Sequence, residues 1–432
     1  LKRRGILRYI LHEAFQNQLV QIMVRERKSV WWRGIASSAM RVASHLGWKG
    51  ATFQMDHLLQ KAIRETGLDD FGPDKFLEPL ALLIRDFSTH NKTDTLGHVV
   101  FSQMILTSLK NRLNLYHVIS KHPEVEKVPI KAPLFVIGLP RTGTTFLQGL
   151  LSQVSTLRPL QNWETHQLPV PQCMATTKQV EQQIKTAQAQ IDGVNRLSPE
   201  FIKAHELGTT EPEECNPFLM SSFYALLFCQ LIYAPDYFQY VCASGFGDSY
   251  QMHKMHLQSL SLNRRETTWF LKGPAHLASL DQLLDVYPDA RVVFTHRSPL
   301  ECLPSMASLT SMLRMVCLHS QDLKLIGPGM LNHLQQMLEM GYRTRDAWPS
   351  GATPFLDITY KKLVGNPVDT VHQILHHFNI PAPVGLDEKL KVYLKNRIQH
   401  RHGVHRYSLD VYGLDETEIK IKFKREADLA GD

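Results

Sequence analysis

The sequence predicts an α/β protein, with a parallel sheet flanked by helices, a helical layer ahead of it and a helical insertion within it. Three observations carry that expectation. Short apolar runs rich in β-formers recur at 134–137, 269–271, 292–294 and 355–358 without polar alternation, as buried parallel strands require. Helical patterns separate them; in His276–Tyr287 the side chains Leu277, Leu280, Leu283, Leu284 and Tyr287 share one face. Strands alternating with helices in this way build a parallel sheet covered on both sides.

The chain has 432 residues, 43% hydrophobic and 21% charged, which is the composition of a globular protein with a sizeable core. Residues 1–126 read as a helical region and 127–432 as the α/β domain. In the first region Leu80, Leu83, Ile84 and Phe87 fall on one helical face, with Pro79 just before them, where a helix start tolerates proline. Residues 175–265 carry helical patterns and aromatics but few strand signals, and read as an insertion able to cover a site. The uncharged, mostly apolar run Phe218 to Tyr233 is shorter than the roughly 20 residues a bilayer span needs and reads as a buried or substrate-lining helix. Its neighbourhood holds Phe218, Phe223, Tyr224, Phe228, Tyr233 and Phe238, which suggest a lipophilic or aromatic acceptor, with carbohydrate left open. The tail from about 385 reads as loop and helix closing over the sheet edge.

The formal charge is +7. An excess of this size attracts nucleic acid, anionic membranes or anionic ligands without choosing among them. The first 50 residues are Arg-rich and acid-poor; a transit-like segment, a membrane-surface helix and a solvated helix face all fit. The six Cys are widely spaced with no C-x-x-C pair. Free thiols and a reducing, cytoplasmic location are therefore expected, although a chain beginning at Leu1 leaves a lumenal or membrane-associated location open. The 21 His include the clusters His376-His377 and His400, His402, His405, read as solvated residues or helix-end bases rather than metal ligands.

The most informative segment is Phe135-Val-Ile-Gly138-Leu-Pro140-Arg141-Thr142-Gly143-Thr144-Thr145-Phe146-Leu147. A strand ends at Gly138, a loop follows, and a helix begins with Phe146, Leu147, Leu150, Leu151 and Val154 on its buried face. Unpaired amides and the dipole at such a helix start bind anionic oxygen. The pattern resembles a nucleotide-hydrolysing P-loop, G-x-x-x-x-G-K-[ST], but Thr144 stands at the lysine position and the cation is Arg141. That loss argues against ATP or GTP chemistry, and an arginine in the loop suits a donor whose bridging oxygen gains charge as it leaves. Downstream, a second strand ends in Arg297, with Ser305 in the following helix. A third ends in Lys272, where packing alone explains a lysine poorly.

The run from Gly138 to Thr145 resembles the 5′-phosphosulfate loop of sulfotransferases that use 3′-phosphoadenosine 5′-phosphosulfate (PAPS), in the arginine form found in tyrosylprotein and bacterial-type members. The resemblance implies that Pro140, Arg141, Thr142, Gly143, Thr144 and Thr145 hold the 5′ end of PAPS. It implies Arg297 and Ser305 at the 3′-phosphate, Lys272 at the sulfuryl group, and Tyr360 and the tail cations Arg401 and Arg406 near the nucleotide. Glu164-Thr165 matches the base segment of the tyrosylprotein enzymes, so Glu164 is the expected base, with His166 and then His276 as alternatives. His166 stands where those enzymes carry arginine, which puts a peptide acceptor in doubt. The implied activity is sulfuryl transfer from PAPS to a hydroxyl of a small-molecule acceptor, without metal and without nucleic acid. A nucleotide kinase or NTPase, and a non-catalytic nucleotide-binding scaffold, are the competing readings.

Overall fold

A computed structural model describes residues 53–205, 207–264, 267–349, 354–396 and 407–432. The basic opening segment and its membrane-surface reading lie outside the described residues, as do Arg401 and Arg406. No helix among the described residues is long and apolar enough to cross a membrane.

Five parallel strands form the sheet: β1 (Leu134–Gly138), β2 (Leu157–Pro159), β3 (Thr268–Lys272), β4 (Arg291–His296) and β5 (Phe355–Thr359). Their order is β2-β3-β1-β4-β5. All five residues of β1 are buried, because helices cover both faces and neither face meets water. The four strands expected from the sequence are present. The three-residue β2 was not expected. Its closing Pro159 cannot donate to a ladder, which an edge position tolerates.

Alternate side chains of each strand enter different cores. Phe135, Ile137, Leu271, Val292 and Phe294 join a large cluster that extends without a break to Leu80, Leu83 and Phe87 of the Leu77–His90 helix. Leu134, Val136, Phe270, Val293 and Ile358 enter a second cluster, formed with Leu147 and Leu150 of the Thr144–Leu151 helix and with Val371 and Ile374 of the Pro367–His377 helix. The helical face expected at Leu80, Leu83, Ile84 and Phe87 is thus the face that packs.

The run Phe218–Tyr233 is not one helix. It divides into Asn216–Ser222 and Leu227–Leu231, because Phe223 adopts a left-handed conformation (φ 64°) and ends the first. Phe218, Phe223, Tyr224, Phe228 and Phe238 are buried in the large core, and Tyr233 is exposed on the surface. The five buried aromatics are packing residues, so they say nothing about the acceptor.

Arg112 ties the helical layer to this region. It is fully buried in the Thr95–Lys121 helix and donates to the carbonyls of Phe71 (2.6 Å), Pro73 (2.9 Å) and Ser221 (3.5 Å). Its guanidinium lies over Phe76, 4.3 Å from the ring centroid. Arg112→Met takes the guanidinium from all three carbonyls, leaves the buried Ser221 carbonyl without this donor and removes the cation 3.9 Å from Asp248. Urea denaturation should show a loss of about 3 kcal/mol or more; a loss within 0.5 kcal/mol or so would mean that the carbonyls find other partners.

Candidate active site

In an open parallel sheet, ligands bind beyond the carboxyl ends of the strands, where neighbouring strands send their connections in opposite directions. Here that point lies between β1 and β4: the chain leaves β1 toward β2 and β3, and leaves β4 toward β5. The segments that emerge there are the Gly138–Thr145 loop and Arg297.

The loop is built tightly. Gly138 (φ 141°) ends β1 so close to β4 that a Cβ would come within 2.5 Å of the Thr295 carbonyl oxygen. Arg141 is left-handed at φ 75°, a conformation that costs a non-glycine residue about 1–2 kcal/mol. The Thr142 hydroxyl faces inward, 2.7 Å from Leu139 O and 2.6 Å from the Thr295 hydroxyl. Pro140 and Thr144 are buried and Thr145 is exposed. Among the described residues nothing accepts a hydrogen bond from the backbone amides of Thr142 to Thr145. These donors rim the start of the Thr144–Leu151 helix, and together they make a cradle for an anion. The same count locates Thr142 as an amide donor only, because its hydroxyl is spent inside the loop.

The expected partners converge on this cradle. Arg141 Nε lies 3.1 Å from Ser305 Oγ and its Nη1 donates to Ala204 O at 2.9 Å. Arg297 Nη1 donates to Arg141 O at 3.0 Å and its Nε to Glu301 at 2.6 Å. The Arg297 guanidinium stacks 4.0 Å over the Tyr360 ring, and a Cβ on Gly143 would come within 2.8 Å of that same ring. Burial pushes the Arg141 guanidinium below the ordinary arginine value, against the pull of the Tyr407 hydroxyl.

Lys272 enters from the other side of β1, paired in register with Val136. It is almost wholly buried, and its ammonium lies 2.5 Å from Glu214 Oε1. Glu214 Oε2 accepts from Asn216 at 2.6 Å, and the Cys215 amide donates to Lys272 O at 3.0 Å. Burial pushes the Glu214 carboxyl up, but Lys272 and His205 outweigh it and hold it below the usual glutamate value. Burial, then Lys272 and Arg141, push the His205 imidazole down, against the pull of Glu214 and Glu213. Sequence reasoning missed His205, Glu213 and Glu214. The available signal was the acid-rich Glu211-Pro-Glu213-Glu214 turn just ahead of the apolar run that starts at Phe218.

Each of the three expected bases is engaged by neighbours of its own. Glu164 receives Arg158 at 2.6 Å, Gln172 at 3.2 Å and the Gln161 amide at 3.1 Å, and it caps the short turn Asn162–Thr165. Its side chain is 3% exposed, against 18% for Glu214. Burial, with Lys110 adding to it, pushes His166 down to about 4. His276 is buried against Phe135 with Nδ1 2.7 Å from the Tyr250 hydroxyl.

The profile of the sulfotransferase family matches residues 133–383. The chain belongs to the sulfotransferase family. The crystal structure of sulfotransferase STF1 from Mycobacterium tuberculosis H37Rv is similar to it over 87% of this chain and 99% of its own, with 29% identity and a TM-score of 0.75. Sulfotransferase STF9 from Mycobacterium avium shares the fold over 87% of this chain and 96% of its own, with 24% identity and a TM-score of 0.74. No curated protein sequence matches the chain. The structural match extends well beyond the 133–383 region, and the tail after Pro383 is too short to account for the rest. Part of the helical layer before Pro133 is therefore common to this sulfotransferase and STF1.

The strand end that delivers Arg297 is held by His296, which is buried between Asp357 (2.9 Å) and Glu426 (3.0 Å). Burial alone would push this imidazole down; the two carboxylates outweigh it and hold it above the usual histidine value. A raised folded value stabilises fully below the unfolded value of about 6.5 and is lost as pH rises through the folded value. Urea melts of the sulfotransferase should therefore show stability falling as pH rises above about 6.5. His296→Gln should flatten that slope; an unchanged slope would assign it to other groups.

Proposed function

We propose that this sulfotransferase takes its sulfuryl group from PAPS and passes it to a hydroxyl of a small-molecule acceptor. The observation that carries the proposal is the meeting of Arg141, Arg297, Ser305 and Tyr360 in one crevice, with Lys272 on the neighbouring strand. The residues fit such a donor: the loop leaves four amides for one anionic end, and Arg297 with Ser305 supplies a guanidinium and a hydroxyl for a second phosphate. When bound, the donor supplies a sulfur that exchanges its bond to a phosphate oxygen for one to the acceptor oxygen.

Each side chain then has a distinct task. The Thr142–Thr145 amides and the Thr145 hydroxyl orient the phosphosulfate end. Arg141 and Lys272 stabilise the charge that develops on the leaving oxygen. Glu214 takes the acceptor proton. While paired with Lys272 it is a weak base. Once Lys272 turns to an anionic donor, burial acts on Glu214 without that offset and raises its basicity.

Glu164 is the second reading for the base, on the strength of its Glu-Thr match to the tyrosylprotein enzymes. Its three hydrogen bonds favour a positioning role at the rim. Glu214→Gln should abolish turnover of radiolabelled PAPS with pooled hydroxyl acceptors while leaving donor binding within a few-fold of wild type. Glu164→Gln should retain turnover; the reverse pattern would give the proton to Glu164.

Donor recognition is tested by isothermal titration. 3′-Phosphoadenosine 5′-phosphate should bind on the order of 100-fold more tightly than AMP, the worth of two charge-assisted hydrogen bonds. Equal affinities would defeat the assignment of Arg297 and Ser305. Magnesium-dependent ATP turnover would instead support a kinase or NTPase, against which Thr144 at the lysine position stands.

A further inference from the structure

Behind the Lys272–Glu214 pair lies a second polar cluster that sulfuryl transfer does not use. Cys215 follows Glu214 directly, and His276 lies in the Pro274–Ser279 turn just after Lys272. His253, on the Ser249–Ser261 helix, completes the group. All three are fully buried, and each brings a ligating atom to within 4.8 Å of the other two. Phe135 and Phe218 pack against the imidazoles.

The two histidines are held in the same way. His276 Nδ1 lies 2.7 Å from the Tyr250 hydroxyl, which is 2.8 Å from Ser279 Oγ; Ser279 in turn reaches Ala275 O at 3.4 Å. The direction that uses every proton runs from Nδ1–H through Tyr250 and Ser279 to that carbonyl. It leaves a lone pair on Nε2. His253 Nδ1 is likewise fixed, 2.8 Å from the Tyr287 hydroxyl. Nε2 of both rings has no hydrogen-bond partner. Two unpaired imidazole nitrogens in an apolar interior are costly, and a thiol beside them is a poor remedy.

We propose that Cys215, His253 and His276 bind a zinc-type divalent cation. One thiolate and two imidazole nitrogens are a borderline-soft donor set that suits it, and the Nδ1 bonds to Tyr250 and Tyr287 are the outer contacts that orient ligating histidines. Tetrahedral ligation needs donor atoms about 3.3–3.7 Å apart, which side-chain rotation within the present spacing can reach. Burial pushes both imidazoles down and the Cys215 thiol up. The histidines are thus already neutral, and binding one cation replaces the thiol proton and releases it to solvent. The cation lies behind the site and touches no donor atom. Its role is to fix the turn that carries Glu214 against the strand end that carries Lys272.

Because all three ligands are out of solvent, the metal must be present as the chain folds. The full chain, expressed with zinc and dialysed, should retain close to one zinc per chain by plasma mass spectrometry. Zinc X-ray absorption should show one sulfur and two imidazole nitrogens. Expressed with cobalt, it should show thiolate-to-cobalt charge transfer in the near ultraviolet, lost in Cys215→Ser and kept in Cys173→Ser, a change at an exposed thiol. Folded wild-type protein that retains no metal, a first shell without sulfur, or a band that survives Cys215→Ser would each overturn the proposal. The absorption measurement needs no variant, so failure of Cys215→Ser to fold does not prevent a decision.

Discussion

Gly138 pairs with Thr295 across β1 and β4, and that register governs the rest of the site. Both strands end at the same height, so the loop after one and the arginine after the other enter one crevice. The approach is close enough that only a glycine fits at Gly138, and the hydroxyls of Thr142 and Thr295 meet across it. Arg297 then closes the contact with a hydrogen bond to Arg141 O. A one-residue slip would turn every strand side chain to the wrong core and would also part the two arginines. Fold specification and site geometry are the same constraint.

Buried charge is the second theme. Lys272 and Glu214 sit at the carboxyl edge with the lysine almost fully desolvated, and a lone ammonium there would be very unfavourable. The ion pair is the resting answer. It also makes the carboxylate sensitive to anything that draws the lysine away. His296 shows the same device in a structural setting: two carboxylates hold one imidazole where burial alone would not allow a charge.

Much of this was legible in the sequence, and the reason lies in locality. A strand, a glycine-bounded loop and a helix are contiguous, so the Phe135–Leu151 segment announces its own geometry. Strand ends carrying Lys272 and Arg297 are legible because a cation after an apolar run has few packing explanations. The three-residue β2 was illegible, since its pairing with β3 is a property of the sheet and not of Leu157-Arg-Pro. The break at Phe223 was hidden because left-handed backbone at a phenylalanine has no local signature. The aromatics of 218–238 misled for a related reason: core and ligand lining have the same composition, and only burial separates them. Glu214 was overlooked because its partner Lys272 lies 58 positions away, and nothing local marks a glutamate as paired.

The helical layer ahead of β1 takes its place in the same reasoning. Arg112 from that layer grips Ser221 O at the end of the Asn216–Ser222 helix, whose start follows Glu214 and Cys215 directly. Asn111, its neighbour, donates to Thr165 O and accepts from the Gln167 amide, fixing the segment that carries Glu164 and His166. Both acidic candidates for the base are thus reached from one helix, Asn111 holding the Thr165 segment and Arg112 the far end of the Asn216–Ser222 helix. Arg141 is held from the sheet and from helices alike, through its loop and its bonds to Ser305 and Ala204. The sheet reaches both as well: Arg158 of β2 donates to Glu164, Lys272 of β3 to Glu214, and Gln148 of the helix after the loop to Glu213 O, so the loop and both acidic candidates share one polar framework.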